Sequence, residues 1–521
     1  MAILYRSLVG LLLVMSFSFN GAVYSQNIHR ENSQQPNIIL FLVDDMGWQD
    51  TSLPFWKEAT KSNKRYHTPN MERLAKQGMK FTDAYATSIC TPTRVSLMSG
   101  MNAAHHRVTN WTSPLNNTSS DYPDSLFYPV QWNVSGLSPK ADVPNTIHVT
   151  PLPQLLKDAG YYTIHCGKAH FASQNTPASD PLAIGFEKNI AGSSTGHPAS
   201  YLSNKRYGNK PDGTVTLHGV PGLDKYYHSD TFLTEALTLE AKAALDVPIK
   251  NKQPFFLYMS QYAIHIPLDA DDRFIDRYLD TGIDSTEARY AALIEGMDKS
   301  LGDLMDYLDS QEIAENTVII FMSDNGGLSL APPRSGKEFM HNSPLKSGKG
   351  SVYEGGIRVP MIVSWPGITQ PASVSKRYVL IEDFFPTILE VAKAGKYKTV
   401  QQVDGVSFVN SLKNPFYEDD ERSLIWHYPN RWIPKEGPGI SWFSAIRKGD
   451  WKLIYDFKKQ NVELYNLASD IGEQNNLVLD NLTKTKELKK LLTKSLKKYK
   501  AQMPKNKITN KRVPWPDALN N

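Results

Sequence analysis

The chain has 521 residues, of which 40% are hydrophobic, and a formal net charge of +4, which fits a globular protein with one large domain and one smaller one. So small a charge over this length, with no long basic block beside aromatic residues, excludes nucleic acid as a partner. In chain order, residues 1–25 read as a secretory leader. Arg6 precedes an apolar run over 8–19, and the small residues Ala22 and Ser25 follow it. The run is short for a membrane span, no cysteine follows that could carry a lipid, and no later run suits a transmembrane anchor. The mature protein is expected to start near Gln26 and to be periplasmic or secreted.

Two distant segments share one pattern. PNIILFLVDDMGWQD (36–50) and NTVIIFMSDNGGLS (316–329) run apolar and β-branched and then end in polar acidic tips with glycine. Such runs suit strands buried on both faces of a sheet covered by helices, with the tips gathered at the carboxyl ends where open α/β sheets bind ligands. Residues 152–171 predict a helix ending near Gly160, a strand over 161–165, and then Gly167-Lys168-Ala169-His170. Residues 253–268 predict a strand and a loop holding His265. Helical periodicity recurs over 286–308 and near 378–394. The expected fold class is α/β, a large doubly wound mixed or parallel sheet flanked by helices, over residues 26–415. Beyond that, SAIRKGDWKLIYDF and VELYNLAS predict antiparallel strands. A lysine-rich helix over 483–499 carries Leu488, Leu492, Leu496 and Tyr499 on one face. Residues 416–521 are therefore expected to form a smaller C-terminal subdomain of antiparallel sheet plus helix, its lysines a solvated face.

The tips offer Asp44, Asp45, Asp324 and Asn325, a hard-oxygen set suited to Ca²⁺, less to Mg²⁺, and not to zinc. Without a cation, each repulsion among three convergent carboxylates costs on the order of 1–4 kcal/mol at a few ångströms. Ordinary turns after strands would explain each tip taken singly. Arg94, Lys168, His170, His265 and Lys349 are expected in loops after apolar runs, where positive groups beside a dication would suit an anionic substrate such as sulfate or phosphate. The two cysteines, Cys90 and Cys166, could pair in an exported protein.

Cys90-Thr91-Pro92-Thr93-Arg94 changes that balance, since a Cys-x-Pro-x-Arg match arises by chance only roughly 0.004 times in a chain of this composition. The run resembles the signature of the type I sulfatases, in the alkaline-phosphatase-like superfamily, and residues 160–170 resemble the second signature of that family. The resemblance implies that Cys90 is oxidised to formylglycine (3-oxoalanine) by a formylglycine-generating maturation enzyme, and that the hydrate is the nucleophile on sulfur. It further implies that Asp44, Asp45, Asp324 and Asn325 hold the metal together with residue 90, and that Arg94 orients the modified side chain. Lys168 and Lys349 would hold sulfate oxygens, His265 would protonate the leaving alcohol, and His170 would take the proton that releases sulfate. The chain departs from the family pattern at Ser99, at Ala169 between lysine and histidine, and at Cys166, which is expected to stay a reduced, buried thiol. The expected substrate is a sulfated carbohydrate, in keeping with the aromatic WHYPNRW run over 426–432. A phosphodiester or phosphonate hydrolase on the same fold, or a non-catalytic receptor for sulfated glycan, are the alternatives.

Overall fold

The computed structural model describes residues 35–112, 115–116, 118–329, 339–417, 422–434 and 436–519. The leader expected at 1–25 lies outside them. All seven residues of Asn37–Val43 (β1) are buried. Ile39, Phe41 and Val43 enter one apolar cluster and Ile38, Leu40 and Leu42 another, as the two-residue period of a strand covered on both faces requires. The same sheet contains Met79–Phe81 (β2), Tyr162–Gly167 (β3), Lys188–Ile190 (β4), Phe255–Ser260 (β5), Thr317–Ser323 (β6), Met361–Ser364 (β7) and Ser373–Ser375 (β8). Their spatial order is β8-β2-β7-β6-β1-β5-β3-β4. β6, β1, β5, β3 and β4 run parallel, while β7 is antiparallel to both its neighbours, so the sheet is mixed, as expected.

Helices cover both faces. Leu233–Asn251 and Ser285–Ser310 belong to the cluster of Phe41, and Cys90–Ser99 (α1), Leu152–Asp158 and Phe384–Val391 to that of Leu40. The helix expected near 378–394 is thus confined to Phe384–Val391. Val379–Leu380 is instead a short strand paired with Ala84–Tyr85, its β-branched and apolar side chains taken into the core.

Ser423–Tyr428 (β9), Phe443–Lys448 (β10), Trp451–Asp456 (β11) and Asn461–Asn466 (β12) form a four-stranded antiparallel sheet in sequential order, the smaller sheet that was expected. One face packs on Leu488, Leu492 and Leu496 of the helix Leu482–Lys498 (α2). The other packs Leu424, Trp426, Ala445 and Ile454 against Tyr85, Ile89, Val352 and Ile357. Not every lysine of α2 is solvated: Lys489 is buried and its Nζ donates to the Leu519 carbonyl at 2.7 Å. No helix among the described residues is long and apolar enough to cross a membrane.

The centre of the large sheet should dominate stability. Phe41 is fully buried and stacks on Phe321 at 5.8 Å between centroids. Phe41→Ala is expected to lower unfolding free energy by about 3–5 kcal/mol in urea titrations, whereas Ile508→Ala, at an 82% exposed position, should stay within about 0.5 kcal/mol.

Candidate active site

Parallel register brings the chemistry-bearing tips together. Val43 of β1 lies beside Ser323 of β6, Leu42 beside Ser260 of β5, and Gly167 of β3 beside Ser260. Asp44, Asp324 and Lys168 therefore leave the sheet at one level. Their backbone N–H groups bond to Ala263, Val43 and Ser260 carbonyls at 2.9, 2.9 and 2.8 Å. The close approach at Gly167 requires glycine, since φ is +101° and a Cβ would stand 1.9 Å from the Ser260 oxygen. Asp45 and His170 hold left-handed backbone at φ +65° and +51°. Such strain in side chains that converge on one place is a common mark of a functional site.

Arg94 was expected in a loop, but it sits inside α1, whose ten residues are all buried. Pro92 does not break this helix, because the first-turn N–H groups have no intrahelical acceptor to lose. Gly100, at φ +69°, closes the helix with its N–H on the Ser96 carbonyl at 2.8 Å. Cys90 is the first residue of α1 and Arg94 lies one turn on, so both share the face turned to the sheet edge. The Arg94 guanidinium donates to Asp324 Oδ2 at 2.8 and 3.1 Å, to the Lys168 carbonyl at 3.0 Å and to Ser260 Oγ at 2.5 Å. Cys90 Sγ lies 3.5 Å from His170 Nδ1.

The acids and bases pair off. Lys168 Nζ is 2.5 Å from Asp44 Oδ2, Lys349 Nζ is 2.6 Å from Asp45 Oδ1, and His265 Nε2 is 3.7 Å from Asp45 Oδ2. Asn325 Nδ2 donates to Asp45 Oδ1 at 2.8 Å. Burial alone would raise the Asp45 carboxyl, but Lys349, His265 and Lys168 override it and hold it below the usual range. Asp44 goes the other way. Burial and then the charge of Asp324 push it well up despite Lys168. Burial, with Lys168 and Arg94 nearby, keeps His170 neutral, and burial with Lys349 does the same for His265. His265 Nδ1 donates to the Ile266 carbonyl at 2.9 Å, which turns Nε2 toward Asp45.

The donor set fits a hard cation. Asp44 Oδ1 and Asn325 Oδ1 are buried with no hydrogen-bond partner, an arrangement that native structures rarely tolerate without a ligand for the oxygens. Ligand atoms of Asp44, Asp45 and His265 all lie within 4.8 Å of one another.

Cys90, His170, His265 and Lys349 open into a cavity of about 290 Å³. Its other walls were not foreseen from sequence: Trp111, Tyr122, His197 and His218 come from irregular segments that carry no periodic signal. His197 stacks on His265 at 5.3 Å and on His218 at 4.0 Å, forming a three-ring column that backs the cavity. The WHYPNRW run divides. Trp432 lines the cavity, with Lys349 Nζ 5.9 Å from its ring, whereas Trp426 is a core residue of β9 whose Nε1 donates to the Ala86 carbonyl at 2.9 Å. The turn of Gly350 seats its N–H on the Ser88 carbonyl at 2.7 Å, joining the Lys349 loop to the segment that carries Cys90. Cys90 and Cys166 are not joined in a disulfide. Cys166 Sγ contacts the Leu237 carbonyl at 3.3 Å inside the helix-covered core, and burial pushes its thiol up.

Residues 36–394 match the family model "Sulfatase", and residues 348–502 match "N-sulphoglucosamine sulphohydrolase, C-terminal". A protein of Formosa agariphila named "Sulfatase" is 30% identical over 504 residues, covering 88% of this chain and 87% of the relative. An N-acetylgalactosamine-6-O-sulfatase of Bacteroides thetaiotaomicron is 26% identical, covering 90% and 94%. The crystal structure of Ps i-CgsB in complex with k-i-k-neocarrahexaose superposes with a TM-score of 0.68 at 26% identity, covering 89% of this chain and 93% of that one. The chain belongs to the type I sulfatase family and is a sulfuric ester hydrolase.

Proposed function

We propose that this enzyme removes sulfate from a sulfated carbohydrate, with residue 90 converted to formylglycine and a divalent cation, Ca²⁺ before Mg²⁺, held by Asp44, Asp45, Asp324 and Asn325. The observation that carries this reading is the placement of Cys90, at the start of a buried helix and open to the cavity, with Arg94 one turn behind it bonded to Asp324. The support for carbohydrate comes from the aromatic walls Trp111, Tyr122 and Trp432, whose faces suit sugar rings, and from the names of the relatives. The leader-like residues 1–25 support export to the periplasm or beyond.

Charge counting supports a cation. Three carboxyl groups, Asp44, Asp45 and Asp324, stand beside three cationic side chains, Lys168, Lys349 and Arg94, and a dication would hold Asp44 ionised against the burial and the Asp324 charge that otherwise push it up. A dication leaves a net of two positive charges, which complements a sulfate group. When bound, the cation supplies Lewis-acid polarisation and the formylglycine hydrate supplies the attacking hydroxyl. The rest falls to the chain's own side chains. Lys349 Nζ, on the cavity wall, directs positive charge at sulfate oxygens. His170, neutral and 3.5 Å from the side chain of residue 90, accepts a proton there. His265, on the cavity wall with Nε2 toward Asp45, must first take up a proton at Nε2, which the Asp45 charge favours, and then delivers it to the departing sugar oxygen. Cys90 is only 5% exposed, so the maturation enzyme must reach it before α1 packs. Residues up to 415 would carry the chemistry, and the subdomain beyond them would complete the cavity through Trp432.

Peptide mass spectrometry of the active protein should show residue 90 without its sulfur, and Cys90→Ala should lose activity on the order of 10⁴-fold or more. Activity retained with an intact thiol at 90 would overturn the nucleophile assignment, and faster hydrolysis of aryl phosphodiesters than of aryl sulfates would overturn the reaction class. Removing cations with a chelator should lower the melting temperature as well as activity. Ca²⁺ at 100 times its Kd should restore about 2.7 kcal/mol of stability, and Asn325→Ala should abolish that thermal response. His265→Ala should slow release of a sugar alcohol about 10²–10⁴-fold while sparing aryl sulfates, whose leaving groups need no proton; equal losses on both would remove the acid role.

A further inference from the structure

A second cavity, of about 650 Å³, shares no lining residue with the first. Five cationic side chains line it, Arg107, Lys497, Lys500, Lys505 and Arg512, together with the rings of Tyr128 and Trp515, and no acidic residue does. Among the described residues none of these five cations has a carboxylate partner, and all but the half-buried Arg107 are exposed. Their arrangement is built rather than scattered. The strands Phe127–Tyr128 and Lys505–Asn506 pair antiparallel with Tyr128 opposite Lys505, and Lys505 is bridged on its other side to Arg512. Like charges directly opposite on adjacent strands destabilise a sheet, so this fold carries an unfavourable pair that an anion would relieve. Arg107 is anchored by its Nη2 on the Lys500 carbonyl at 2.9 Å. Lys497 stands over Trp515 at 5.3 Å, and Lys505 and Lys507 over Tyr128 at 5.9 and 5.8 Å.

We propose that this groove is a second binding site, for the anionic sulfate groups of a polysaccharide chain whose ester is cleaved elsewhere on the molecule; it rests on the reading of the substrate as a sulfated carbohydrate. Rings capped by ammonium groups present sulfate-binding points rather than open platforms for stacking nucleobases, which favours a sulfated glycan over a nucleic acid. The two sites are within reach of one chain. Tyr122 lines the catalytic cavity and Tyr128 the groove, and the six residue-to-residue steps from one to the other can span at most about 22 Å even when fully extended. A polymer held in the groove thereby raises the local concentration of its own sulfate esters at Cys90.

The test compares the combined variant Lys497→Gln, Lys500→Gln, Lys505→Gln, Arg512→Gln with a charge-matched control, Lys61→Gln, Lys64→Gln, Lys210→Gln, Lys252→Gln, at exposed positions away from the groove. Retardation by dextran sulfate in native gels, measured against unsulfated dextran, should weaken at least about tenfold in the groove variant alone. Turnover of 4-nitrophenyl sulfate should stay within about twofold of the parent in both variants. Equal retardation of the groove variant and the control overturns the proposal, as does single-stranded DNA held through the groove as tightly as dextran sulfate at the same salt. Groove-dependent retardation in a protein that hydrolyses no sulfate ester would support the groove and defeat only the catalytic reading.

Discussion

A fully buried guanidinium is tolerable only with a carboxylate beside it, and Arg94 meets that condition through Asp324. Removing either partner from such a pair leaves an uncompensated buried charge, at a cost of about 3–5 kcal/mol. The pair does more than satisfy itself. It fixes α1, on one face of the sheet, to the carboxyl end of β6, and through the Lys168 carbonyl and Ser260 it reaches β3 and β5 as well. Residue 90 is positioned because Arg94 is, one helical turn away. The Cys-x-Pro-x-Arg spacing is thus a statement about helix geometry before it is a statement about chemistry.

Much of this was legible because buried parallel strands advertise themselves. The runs that became β1 and β6 are apolar throughout, and their polar tips could converge only if the strands lay parallel and in register, as Val43 beside Ser323 shows. Arg94 was misplaced because it was grouped with the basic residues of loops that follow apolar runs, whereas Pro92 sits in the first turn of a helix, where proline is tolerated. The helix near 378–394 was drawn too long because Val379 and Leu380 are as apolar as the helix that follows, and periodicity cannot separate a two-residue strand from a helical start. His197, His218, Trp111 and Tyr122 gave no signal at all. They lie in segments whose shape is set by tertiary contacts, and nothing local records which wall they face.

That contrast follows a physical division. Asp44, Lys168 and Asp324 issue from strand ends and Arg94 from a buried helix, all held by the core clusters, whereas Lys349 and His265 stand on loops. The cavity walls Trp111, Tyr122, His197, His218 and Trp432 stand on irregular segments outside the strands. Ile89, adjacent to Cys90, belongs to the apolar cluster that covers one face of the smaller sheet, and Lys349 stands over the ring of Trp432. The segment between β9 and β10 therefore supplies a wall of the cavity beside Cys90 without supplying any of its charged groups.

Electrostatics sorts the molecule in the same way. Inside the cleft, each of Arg94, Lys168 and Lys349 has a carboxyl partner, in Asp324, Asp44 and Asp45, as a close-range offset. The groove around Lys505 has no such offset, and its charge is screened only by salt over a Debye length of about 8 Å under physiological conditions. A polyanion approaching a protein of net charge +4 meets its attraction at the groove first. Capture and chemistry then separate in space. On that reading capture depends on exposed charge that weakens as salt rises, whereas chemistry depends on buried charge that salt scarcely reaches.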